Sequence, residues 1–198
     1  MKNFLSTFLF CSFFLMNSSA QVTGLLKELQ NRFNSVTDIS ADFKQFTNGK
    51  LSVSGRFLYK KSNKLRLELK NAVIISNGSD NWNYNKKENK VVISSSDEND
   101  PGVFSLEKFI FDYPAKCSVE ESFENGANII KLVPKNSSLN FSSAKLFPNN
   151  NLLEKLVITD TGGQTYLIEF TNIKLNPGLP ENKFNFTPPE GTKVIDLR

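Results

Sequence analysis

Alternation of apolar and polar residues with a period of two dominates the chain. Over 64–70, Leu65, Leu67 and Leu69 alternate with Lys64, Arg66, Glu68 and Lys70, the pattern of a strand with one apolar face and one wet, cationic face. Upstream, Leu51, Val53, Gly55, Phe57 and Tyr59 hold one face while Ser52, Ser54, Arg56 and Lys60 take the other, and 61–63 is a polar turn closing a long hairpin. Residues 38–47 keep the same period, with Ile39, Ala41, Phe43 and Gln45 on one face, and Asn48-Gly49 is a tight-turn signal leading into the hairpin. Short strands are predicted next over 72–76, 81–85 and 90–94, an antiparallel meander with a turn at Asn77-Gly78 and with Trp82 and Tyr84 in its middle strand. The second half repeats the habit at 116–123, 128–133, 138–146, 151–159 and 165–175, with turns at Asn125-Gly126 and Gly162-Gly163. A proline-broken loop over 176–181 precedes a last short strand, 183–187, with Phe184 and Phe186 on one face.

Two stretches change to helical spacing. Leu26, Leu29, Phe33 and Val36 recur at intervals of three, four and three, with Lys27, Glu28, Gln30 and Arg32 between them, which predicts an amphipathic helix over 23–36. The polar run 95–101 ends in Asp100-Pro101, a good helix start: the carboxylate can accept free amide protons, and proline at the first helical position loses no bond. Val103, Phe104, Leu106, Phe109, Ile110 and Phe111 then form a short helix that is apolar around more than half its girth. The fold is therefore mainly β, about eleven strands against two clear helices. A single sheet of that size must curl, and with few helices to fill its concave side it can leave an apolar hollow. A packed core and a ligand cavity both fit this pattern.

The first twenty of the 198 residues read as an export signal. Lys2 gives a positive start, Phe4 to Met16 is apolar apart from Ser6, Thr7 and Ser12, and Asn17-Ser18-Ser19-Ala20 offers small residues for cleavage after Ala20. That run is shorter than the roughly 20 residues a spanning helix needs. What remains, 21–198, is the size of one domain. Cys117 is its only cysteine, so no internal disulfide forms, which is compatible with export to a bacterial periplasm. The net charge of +4 is mild and the basic residues are scattered among acids, which argues against nucleic acid as a partner.

Histidine is absent, which excludes Ser-His and Cys-His nucleophilic pairs and removes the usual transition-metal ligands. The acidic groups, Asp97, Glu98 and Asp100 in a loop and Glu120, Glu121 and Glu124 beside a turn, read as solvated surface. No glycine-rich phosphate loop precedes a helix. The chain is read as a non-enzyme with neither cofactor nor metal. Its excess is in phenylalanine, 18 in all.

The order of elements resembles the outer-membrane lipoprotein carrier family, LolA. The resemblance rests on Ala41-Asp42-Phe43-Lys44-Gln45, the 55–69 hairpin, Trp82-Asn83-Tyr84, and Phe184-Asn185-Phe186-Thr187-Pro188-Pro189-Glu190-Gly191 followed by Val194-Ile195-Asp196. It implies an unclosed antiparallel half-barrel with helices as a lid over a hydrophobic cavity, taking the acyl chains of lipoproteins across the periplasm as a monomer. The implied partners are lipidated outer-membrane lipoproteins, an inner-membrane ABC-type exporter (LolCDE-like) and an outer-membrane acceptor (LolB-like). The expected cavity lining is Leu26, Phe33, Phe43, Phe57, Leu65, Leu67, Trp82, Phe104, Leu106, Phe109, Phe141, Ile158, Ile168 and Phe170. In the family an arginine near the hairpin turn bonds to the lid backbone. Here Lys61 stands at that place, with Ser62 where proline is usual, and Arg66 is a lesser latch candidate. Lysine offers a compact charge without a planar fork, so a multi-bond latch would be weaker. Two rivals share the scaffold: a carrier of free lipid or other apolar ligands, and a sensor or interaction module with a filled core.

Overall fold

The computed structural model describes residues 24–95, 105–150 and 152–198. The chain opens with helix α1 (Leu25–Asn34), which passes through three residues into β1 (Asp38–Thr47). The strands β2 (Lys50–Lys60), β3 (Lys64–Leu69), β4 (Ala72–Asn77), β5 (Asp80–Asn85) and β6 (Lys90–Ser95) follow as a meander. A π-helical turn, Lys108–Asp112, continues into the short helix α2 (Tyr113–Lys116). Then come β7 (Cys117–Glu124), β8 (Ala127–Pro134), β9 (Phe141–Asn149), β10 (Leu152–Asp160) and β11 (Thr165–Leu175), a 3-10 turn (Glu181–Phe184) and β12 (Lys193–Asp196).

All twelve strands form one sheet in the order β12-β6-β5-β4-β3-β2-β1-β11-β10-β9-β8-β7, with β12 and β7 as unpaired edges. The sheet is therefore curled but unclosed. β1 joins its halves, pairing with β2 on one side and β11 on the other, so that Phe43 lies between Gly55 and Phe170. Strand alternation then sorts every residue to one of two faces. Ile39, Ala41, Phe43, Phe57, Tyr59, Leu65, Ile168, Phe170, Leu156, Leu146, Ile130 and Leu132 share the concave face and are all buried in one apolar cluster.

The other face carries Arg66, which is opposite Ile75, which in turn is opposite Trp82. Trp82, Val73, Ile75, Val91 and Ile93 make a second, smaller cluster there, capped by Phe186, whose ring lies 5.1 Å from that of Tyr84. The C-terminal segment forms this cap. Glu181 sits between the ammonium groups of Lys60 and Lys64 at 2.8 and 2.7 Å, Lys60 donates to the Leu179 carbonyl at 2.9 Å, and Phe184 is buried beneath the 3-10 turn.

Two expectations change at this end of the chain. Residues 183–187 form no strand: the two lysines fix Glu181 and the chain tightens into a 3-10 turn that buries Phe184. The last strand is instead Lys193–Asp196, added in parallel to β6, and its four largely exposed residues lack the alternation that would have marked it. The predicted second helix runs on past Phe111 to Lys116, and β9 begins at Phe141, three residues later than the 138–146 pattern implies. The helix start at Asp100-Pro101, Phe104 and the 1–20 leader lie outside the described residues.

Candidate functional site: an apolar concave face under a tied lid

The concave face is covered by two helical pieces. α1 turns Leu25, Leu29 and Phe33 inward, the i, i+4, i+8 line of one helix face, and Phe33 stacks against Tyr59 at 5.4 Å and Phe111 at 5.8 Å. The second piece supplies Leu106, Phe109 and Ile110, with Phe109, Tyr113 and Phe141 in mutual ring contact at 4.9, 5.7 and 5.3 Å. A void between lid and sheet, lined by Ile39, Ala41, Phe57, Leu106, Leu152, Leu153, Phe170 and Ile173, measures about 10 Å³. That is room for about one water. Among the described residues, the side chains of both helical pieces pack directly against the concave face.

Polar bonds at the rim hold the lid in place. The Glu121 carboxylate on β7 accepts from the backbone amides of Leu25 and Leu26 at 3.0 and 2.9 Å. It thereby caps the N-terminus of α1, where Gly24 has no side chain to do so and the helix dipole favours an anion. At the opposite end Lys61 Nζ donates to the Asn34 carbonyl at 2.7 Å, a cation at the helix C-terminus. Arg32 reaches the Asn149 carbonyl at 2.6 Å, and Gln30 Nε2 donates to the Ile110 carbonyl at 2.9 Å, joining the two lid pieces. Tyr59 donates its hydroxyl to Glu107, and burial, with the Glu107 carboxylate beside it, pushes the phenol far above its usual range. Tyr59 therefore remains a donor at any working pH. Burial likewise raises the Cys117 thiol, which stays protonated and unreactive near neutrality.

Phe33, Phe43, Phe57, Leu65, Leu106, Phe109, Phe141, Ile168 and Phe170 meet in the buried concave cluster, and Leu26, Leu67 and Ile158 pack against it half-buried. Trp82 does not join them. The register Arg66–Ile75–Trp82 puts it on the convex face under the C-terminal cap, because one residue of parity in β5 exchanges the two faces. Arg66 is on that side too, bonding Glu68 at 2.7 Å and the Lys183 carbonyl at 3.2 Å, so it ties down the C-terminal segment and not the lid. Sequence reasoning passed over two contributors. Leu25 was legible in its spacing to Leu29 and Phe33, whereas Glu121, read as solvated surface, carried no sequence signal of its tie to a helix 95 residues away.

The sequence model of the family described as outer membrane lipoprotein carrier protein LolA matches residues 34–187. The chain belongs to the LolA family. Among its relatives, an outer-membrane lipoprotein carrier protein of Legionella pneumophila (strain Lens) is 25% identical over 178 residues, covering 84% of this chain and 87% of that one. One of the same description from Francisella tularensis subsp. novicida (strain U112) is 27% identical over 198 residues, covering 94% and 95%. The crystal structure of an uncharacterized conserved protein from Thermus thermophilus superposes with a TM-score of 0.57 at 16% identity, covering 86% of this chain and 98% of that one, a likeness of fold. Lipoprotein carriage is thus the family-level role.

Proposed function

We propose that this LolA-family protein is a non-catalytic periplasmic carrier that takes up the acyl chains of lipoproteins released from the inner membrane and delivers them to the outer membrane. The observation that carries this reading is a continuous apolar concave face that, among the described residues, is covered by α1 and the π-helical piece, themselves held by a few rim hydrogen bonds. Acyl chains would replace the lid against the sheet, making Phe43, Phe57, Leu65, Phe141, Ile168 and Phe170 their contacts.

The energies of that exchange match. A dozen acyl methylenes are worth about 10 kcal/mol at ~0.8 each. The inward side chains Leu25, Leu29, Phe33, Leu106, Phe109 and Ile110 contribute about 1.5–3 kcal/mol each, a sum of the same order. Uncovering these side chains offsets part of the gain from burying acyl chains, which keeps release possible, and a lid held by polar bonds provides the two states. An inner-membrane exporter of the LolCDE kind would load the chain, and an outer-membrane acceptor of the LolB kind would unload it.

The close packing of the described lid residues against the concave face favours a second reading, an interaction module on the same scaffold. One experiment separates them: incubate the purified protein with spheroplasts or with exporter-containing vesicles and isolate soluble complexes. The carrier reading expects complexes with lipidated cargo alone, and it fails if the unlipidated cargo behaves alike. Solvent extraction of the purified protein distinguishes a carrier of free lipid, which would yield acyl chains unattached to protein.

A further inference from the structure

We propose that acyl chains pass into the concavity beneath the N-terminal half of α1, through a portal beside the β9–β10 turn whose neck is Leu152. The proposal rests on the carrier reading and adds to it the route, the gate and the polar group at the mouth. A half-open cavity of about 60 Å³ lies between α1 and that turn, walled by Leu25, Leu29, Arg32, Pro148, Asn149 and Leu152. Its lining mixes these apolar side chains with polar ones, Glu28, Asn128 and Asn150 included. The inner void under the lid also has Leu152 in its wall, together with Ala41, Phe57 and Phe170. Leu152 therefore borders both the outer cavity and the void at the floor of the concave face.

Leu152 is unusual in its backbone as well. It is 2% exposed yet has φ +89°, a left-handed conformation that costs a bulky L-residue strain. Such strain persists only where surrounding structure holds it, and here it keeps the side chain across the neck. The lid is built to open at this end. The C-terminus of α1 runs within three residues into β1, and the link is fixed by the Thr37 amide donating to Asn176 Oδ1 at 2.7 Å. Its N-terminus is tied to β7 by the Glu121 carboxylate, and release of that tie and of Arg32 from Asn149, with a swing about the C-terminal end, lifts Leu25 and Leu29 off the outer cavity.

The mouth suits the polar end of a lipidated cysteine. Arg32 uses part of its fork on the Asn149 carbonyl and on Glu28 at 2.9 Å, and its remaining N–H groups can meet ester carbonyls of a diacylglyceryl group.

The test uses the purified protein and a synthetic diacylglyceryl-cysteine peptide carrying a fluorophore. Leu152→Trp, which plugs the neck, should slow loading at least tenfold. Leu152→Gly, free of strain at positive φ, should speed it several-fold. General damage to the fold would move both variants in one direction, and that outcome, or loading of Leu152→Trp at the unaltered rate, overturns the portal. A photo-crosslinking residue at Pro148 should capture the peptide while one at the exposed Asn34, at the other end of α1, should not, and the reverse pattern also overturns the proposal. Absence of any binding by the unaltered protein overturns the carrier reading itself, a result distinct from binding that bypasses Leu152.

Discussion

A Cβ added to Gly55 would lie 2.1 Å from the Glu68 carbonyl oxygen and 3.0 Å from its carbon. The obstructing atoms are backbone of the neighbouring strand, so no rotamer change relieves them, and β2 and β3 must part for any larger residue. Gly55→Ala is expected to cost about 1–3 kcal/mol, the range for overpacking, read as a lower urea midpoint with an unchanged slope. An unshifted midpoint would refute the close approach. In the sequence Gly55 occupied an apolar slot between Val53 and Phe57 without saying why it had to be small. Lys61 was equally ambiguous from sequence, a turn lysine, and only the Asn34 carbonyl 2.7 Å from its ammonium marks it as a tie to the lid. Lys61→Leu is expected to impair lipoprotein loading or release while changing stability by no more than about 1.5–3 kcal/mol, the scale of a hydrogen bond to a charged group. Transfer at the unaltered rate would leave Lys61 as surface.

For α1, the decisive element-scale contact is its capped N-terminus. Glu121→Gln keeps one acceptor oxygen for two amides and removes the charge that the helix dipole favours, a loss of about 0.5–2 kcal/mol. Amide exchange at Leu25 and Leu26 should quicken by the corresponding factor of about 2–30, with β-strand amides unaffected; a uniform change across the protein would mean that Glu121 does not act on the lid. On the convex side, the hydrogen bonds from Lys60 and Lys64 hold the Glu181 carboxyl down at about 2. A depressed carboxylate stabilises above its ordinary value of 4.5 and loses that contribution as pH falls from there toward 2. Asp196, held at about 2 by Arg198, adds to the same window. The C-terminal cap should therefore loosen between pH 4.5 and 2, shifting the fluorescence of Trp82, the sole tryptophan, to the red, and Glu181→Gln should shrink that acid transition. Strands such as β1, β8 and β9 were legible because their apolar residues recur with a period of two against a buried face. β12 was not, since it is held by a parallel ladder to β6 and its side chains are mostly in water. Parity failed at Trp82 for a related reason: strands covered on both faces give no amplitude by which to choose the concave one.

At the scale of the whole molecule, the unclosed curl and the family were readable from the order of elements, but the state of the concavity was not, because phenylalanines that line a hollow and phenylalanines that fill it look alike in a sequence. Among the described residues the lid's side chains cover the surface that acyl chains would take, with a void of about 10 Å³ between lid and sheet. Binding in such a protein is an exchange of apolar partners. Burial of the acyl chain makes the heat capacity change of binding negative, while uncovering Leu25, Leu29, Phe33 and Phe109 opposes it. The diacylglyceryl-cysteine peptide should accordingly bind with a heat capacity change well below the value that full burial of its chains in a preformed hollow would give. Calorimetric titration at several temperatures measures this directly. A change as large as full acyl burial would mean that the lid keeps its apolar face covered throughout, and exchange at the concave face would then have to be abandoned for a binding surface elsewhere on the half-barrel.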